Sequence, residues 1–208
     1  MSTCSLLCFP LLFSGRAKRS SFRVPGRSPC INWQEAHDYA AWLSSQTGHN
    51  YRLLSEAEYE FVNRAGHTSN YAWGNNPDDA CSYANVLDAS GAQGRFAISH
   101  CDDGYVFTSP VGHFKPNAFG LYDTTGNVWS WTADCWHGDY TSAPADGRAW
   151  TWGDYHNPAY CNDRVRRGGA WNTFFRGPGV RAALRDKSAS FSAAIPLNDT
   201  GFRLARTE

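Results

Sequence analysis

The stretch INWQEAHDYAAWLSSQTGHNYRLLSEAEYEFVNRAG, residues 31–66, sets the architecture. Asn32 stands where a helix N-cap belongs, and Glu35 three residues on completes a capping box, so two otherwise unpaired backbone donors find partners. Trp33, Ala36, Tyr39, Ala40 and Leu43 recur at helical spacing until Gly48, a helix-ending residue. Ser55 and Glu58 repeat the device for a second helix, which runs through Tyr59, Phe61 and Val62 to Gly66.

Beyond these helices the periodicity changes. Between Asn70 and Asp163 short segments are broken by Gly, Pro, Asn or Asp every few residues. NVWSWTADCW, residues 127–136, has enough alternation for a core strand, and the turn before it uses the tolerance of Gly126 for positive φ. Arg164–Ala170, Val180–Arg185 and Gly201–Arg206 read as strands, with residues 174–179 and 187–199 as loops. The expected fold class is α+β: two helices plus short antiparallel strands and long irregular loops.

With 19 Gly and 15% aromatic residues, the composition favours loops pinned by large rings over a helical bundle. The 208 residues fit one domain, placed at 28–206, while residues 1–27 read as a signal-like or disordered tail. No apolar run is long enough to span a membrane, and a formal net charge of zero gives no sign of a nucleic-acid partner. Charge is nonetheless uneven. Residues 78–163 hold eleven Asp against Arg95, Lys115 and Arg148, whereas residues 164–206 hold nine basic residues against Asp186 and Asp199. Either the two regions pack together, or the arginines line a pocket for an anionic or polar partner.

Seven cysteines, at 4, 8, 30, 81, 101, 135 and 161, include no CxxC pair and no zinc-type spacing. Cys135 and Cys161 bracket a Trp-rich acidic loop and could close it by a disulfide. Cys81 and Cys101 could do the same or remain buried thiols. Disulfides would imply an oxidising, extracytoplasmic compartment.

The helical stretch, followed by SPVGHFKPNAFGLYDTTGNVWSWTADCW (109–136), RVRRGGAWN (164–172) and GFRLAR (201–206), resembles the formylglycine-generating enzyme, or sulfatase-modifying factor, family. That resemblance implies a C-type-lectin-like fold and covers Cys30 to Arg206, without the family's usual N-terminal portion. It implies copper chemistry only where two cysteines follow the Gly-Gly turn. Thr173 stands at the first such position and residues 176–179 at the second, with Ala170 for the turn's serine and Phe174 for its histidine. Thiolates suit Cu(I), and these residues supply none. The expectation is a family member without formylglycine-generating activity, hence no copper and no catalytic residues. The iron-dependent sulfoxide synthases that share the fold need a three-histidine domain, and no HxxxH pair occurs here.

The resemblance also implies calcium. A first site would use Asn85, Val86, Asp103 and Tyr105, through side-chain and carbonyl oxygens; a second, poorer one would use Asp123, Gly126 and Val128, with Ser130 where an acid is usual. The family's substrate groove corresponds to Trp129, Trp171, Asn172, Phe174, Phe175, Arg176, Arg181 and Arg185. Aromatic faces and arginine forks suit a peptide, protein or glycan ligand. Two enzymatic or display alternatives stand beside binding: a maturation enzyme, as among members placed in siderophore maturation, and the variable protein of a diversity-generating retroelement. His137 and His156 are the bases nearest that groove.

Overall fold

The computed structural model describes residues 31–88, 101–152, 161, 163–173, 179–188 and 197–207. Helix α1 (Trp33–Thr47) starts at Asn32 with both halves of the capping box formed and ends at Gly48 in the left-handed region. Helix α2 (Glu56–Arg64) starts at Ser55 with its own capping box, but its left-handed end is Ala65, one residue before the expected glycine. Between them lies β1 (Asn50–Leu53), a strand too short to register as periodicity.

The remaining strands are β2 (Trp129–Cys135), β3 (Arg164–Arg167), β4 (Arg185–Ser188), β5 (Thr200–Phe202) and β6 (Leu204–Thr207). They form a four-stranded sheet in the order β4-β3-β2-β5 and a two-stranded sheet β1-β6. Three expectations need correction. Residues 180–184 are turn rather than strand, and β4 begins only at Arg185. The strand expected at 201–206 is split at Arg203, so that β5 joins the large sheet and β6 pairs with β1. At that break the buried Arg203 side chain donates to the carbonyl oxygens of Tyr122 and Asp123. Nor are the strands all antiparallel, since β2 and β5 run parallel.

β2 is buried on both faces, with Trp131 fully enclosed, and it joins the helices to the sheet. Trp131 packs with Ala36, Leu53 and Phe202; a second cluster gathers Tyr71, Ala80, Ala84, Val86 and Val180. Cys81–Cys101 and Cys135–Cys161 are both at disulfide bonding distance, with cysteines 4, 8 and 30 outside the described residues. No described helix is long and apolar enough to cross a membrane.

Candidate functional site

Three backbone segments meet where the Gly-Gly turn leaves β3. Gly168, at φ 94°, lies against the Tyr59 hydroxyl so closely that a Cβ would collide with it. That hydroxyl donates to Thr124 O at 2.9 Å, tying α2 to the turn before β2. Gly126 N donates to Gly168 O at 2.9 Å, and a Cβ on Gly126 would strike the Asn85 carbonyl. The glycines are therefore required by close approach as well as by positive φ.

Beyond this turn, Trp171 N donates to Asn127 O at 3.0 Å, and the Trp171 ring meets Phe107 edge-on at 5.2 Å between centroids. Phe107 is 62% exposed and Val106 43%, so this is an apolar surface open to solvent. Asn172 donates to Asp199 at 3.2 Å. Thr173 turns inward: its hydroxyl accepts the Ala170 N–H at 2.7 Å and its own N–H reaches Ala170 O at 2.9 Å. The side chain thus caps its own turn, an ST-type arrangement.

The other expected groove residues part company. Trp129 is 7% exposed within β2. Arg181 is exposed. Phe174, Phe175, Arg176 and His156 lie outside the described residues. Arg185 is bound internally: its guanidinium makes two bonds to Glu56, at 2.8 and 2.9 Å, and donates to His137 O, between the rings of Trp136 and Tyr140. Arg167, 1% exposed, pairs with Glu60 and lies 3.6 Å from Glu56. Arg166 bridges Asp186 and Asp199. Two of these arginines are thus neutralised by α2 glutamates rather than by the aspartate-rich middle. His137 stacks on Trp150 at 3.5 Å.

Around the first expected calcium position the atoms are oxygen-rich. Asn85 is fully buried; its Nδ2 donates to Phe107 O at 2.7 Å, while its Oδ1 has no hydrogen-bond partner. Asp103 accepts from Val86 N and Tyr105 N, each at 2.8 Å. Burial pushes its carboxyl up to about 6, with Asp88 and Asp102 adding repulsion. Asp88, fully buried, accepts the Asp103 N–H and lies with it in a cluster that includes Cys81, whose sulfur is committed to a disulfide. Two buried carboxylates and an orphaned amide oxygen fit a hard cation. Asp88 carries no signal of its own in the sequence, because a single Asp after Val86 and Leu87 shows no ligand spacing. At the second position Asp123 accepts from Gly112 N at 2.7 Å and its Oδ1 is buried without a partner. Ser130 is buried in β2, so the set holds a single carboxylate.

Residues 14–208 match the sulfatase-modifying factor enzyme 1-like domain. The chain belongs to the sulfatase-modifying factor family. It is 36% identical over 146 residues to the formylglycine-generating enzyme of Thermomonospora curvata, covering 68% of this chain and 43% of that protein. It is also 36% identical over 121 residues to the inactive C-alpha-formylglycine-generating enzyme 2 of Bos taurus, covering 57% of this chain and 35% of that protein. This family member therefore spans less than half the length of these curated relatives. Among solved structures, PvdO from Pseudomonas aeruginosa is similar with TM-score 0.70 and 37% identity, over 89% of this chain and 64% of that one. Treponema denticola variable protein 1 shares the fold at TM-score 0.64 and 21% identity, over 90% and 74% of the two chains.

Proposed function

We propose that this domain is a binding member of the sulfatase-modifying factor family, without formylglycine-generating activity. Its ligand is a peptide, protein or glycan held against the Phe107–Trp171 surface, and calcium bound by Asn85, Val86, Asp103 and Tyr105 fixes the loop beneath. The observation that carries this reading is Thr173. Where the family resemblance places a copper thiolate stands a hydroxyl already engaged by the Ala170 N–H. An alcohol is a poor ligand for Cu(I), and this one holds a turn. The inactive relative from Bos taurus supports a non-catalytic role within the family.

The two disulfides favour an extracytoplasmic compartment. A second reading, favoured by the identity to the Thermomonospora curvata enzyme, is an oxidoreductase or maturation enzyme of the same family. Mass spectrometry decides between them. A Cys-x-Pro-x-Arg peptide incubated with the protein and copper is expected to keep its cysteine, and conversion to formylglycine would overturn the binding reading.

A further inference from the structure

A separate cleft of about 960 Å³ opens between α1, β1 and residues 146–151, and it shares no residue with the Phe107–Trp171 surface. Its volume is that of a small-molecule site. Its charges are mostly settled internally. Arg52 meets Glu58 in two bonds, at 2.6 and 2.8 Å, and Arg148 lies 3.6 Å from Asp146. Arg164 differs from its neighbours Arg166 and Arg167, which are ion-paired. It is half-buried, gives one bond to Ala133 O at 3.1 Å, and has no carboxylate within 4 Å among the described residues.

The guanidinium of Arg164 lies 3.5 Å over the Trp33 ring, which also stacks with His37 at 5.1 Å. Trp33 itself is pinned, its Nε1 donating to Thr132 O at 2.7 Å. Burial lowers Arg164 to about 10, so the cation is desolvated without a bonded counter-charge, Asp134 offsetting only part of this from a distance. Ala40, Ala41, Leu53 and Ala149 supply apolar wall. A planar fork beside an indole matches a carboxylate attached to a flat apolar body.

We propose that this cleft is a ligand site for a small aromatic carboxylate, with Arg164 binding the anion and Trp33 flanking the ring. A single cation with no carboxylate within 4 Å among the described residues matches one carboxylate, which favours that group over a phosphate dianion.

Nuclear magnetic resonance on the whole chain tests this with benzoate, benzamide and phenyl phosphate, following the Trp33 indole N–H signal, assigned by its loss in Trp33→Phe. Benzoate is expected to shift that signal saturably while benzamide leaves it in place. Arg164→Gln is expected to weaken benzoate about tenfold, the loss of one charge-assisted bond. Ala41→Glu, on an exposed position of α1 that leaves the core untouched, is expected to weaken it as well by adding a negative charge to the wall. An unmoved signal, an equal response to benzamide, or unchanged affinity in both variants would overturn the site. Tighter binding of phenyl phosphate would overturn the carboxylate assignment.

Discussion

Arg185 closes a two-pronged pair on Glu56, Nε to Oε1 at 2.8 Å and Nη2 to Oε2 at 2.9 Å, across 129 positions of sequence. Glu56 is 6% exposed and begins α2, so this contact fastens the helix start to the edge strand of the main sheet. The Tyr140 hydroxyl donates to the same carboxylate at 2.9 Å.

Removing one member of a buried pair leaves the other charge uncompensated. Arg185→Ala is expected to cost about 3 kcal/mol, the low end for such pairs, because Arg167 stays near Glu56. Arg181→Ala, at an exposed position, should change stability by less than about 0.5 kcal/mol. Urea unfolding of the two variants measures the contrast. Equal losses would remove the distinction between a structural and a surface arginine.

Gly168→Ala is expected to destabilise by roughly 1–3 kcal/mol, since the new methyl meets the Tyr59 hydroxyl at a positive φ. Gly138, where a Cβ would meet nothing, is the control. A melting temperature as high for Gly168→Ala as for Gly138→Ala would contradict the close packing.

Calcium is expected to raise the melting temperature, because it binds the folded loop and not the unfolded chain. Asp103→Ala should abolish the rise. Asp88→Asn should reduce it if that buried carboxylate shares the ion. A melting curve unchanged by EDTA in the wild-type protein would eliminate the proposed ion.

Asp134 supplies the pH dependence. It accepts Glu56 N at 2.7 Å and Trp150 N at 2.8 Å, yet burial raises its carboxyl to about 6, with Glu56 and Glu58 adding repulsion. The unfolded group titrates near ~4, so between these values the folded chain keeps a proton that the unfolded chain loses. Its stabilising contribution is therefore fully present below about pH 4 and lost as pH rises through about 6. Asp134→Asn is expected to flatten stability over that interval, and an identical slope in both proteins would exclude Asp134 as the source.

The helices were legible because their signals act over three or four residues. Asn32 with Glu35 and Ser55 with Glu58 form the capping boxes that their spacing announces. The β2 strand was legible from dense alternation, and the Gly126 turn from its glycine. The register of residues 180–188 was not, since Val180–Arg185 reads as strand while the chain uses Val180 and Ala182 as buried turn residues.

By itself the sequence determined the helix starts, the family, and the absence of cysteine at Thr173, all properties carried by a residue and its near neighbours. The tertiary structure alone decided what the arginines do. Arg166, Arg167 and Arg185 met carboxylates, whereas Arg164 was left against an indole facing a cleft. Charge counting could not separate these fates. Whether a guanidinium is paired depends on which acid the chain brings within about 4 Å, and that distance is set by packing among distant segments.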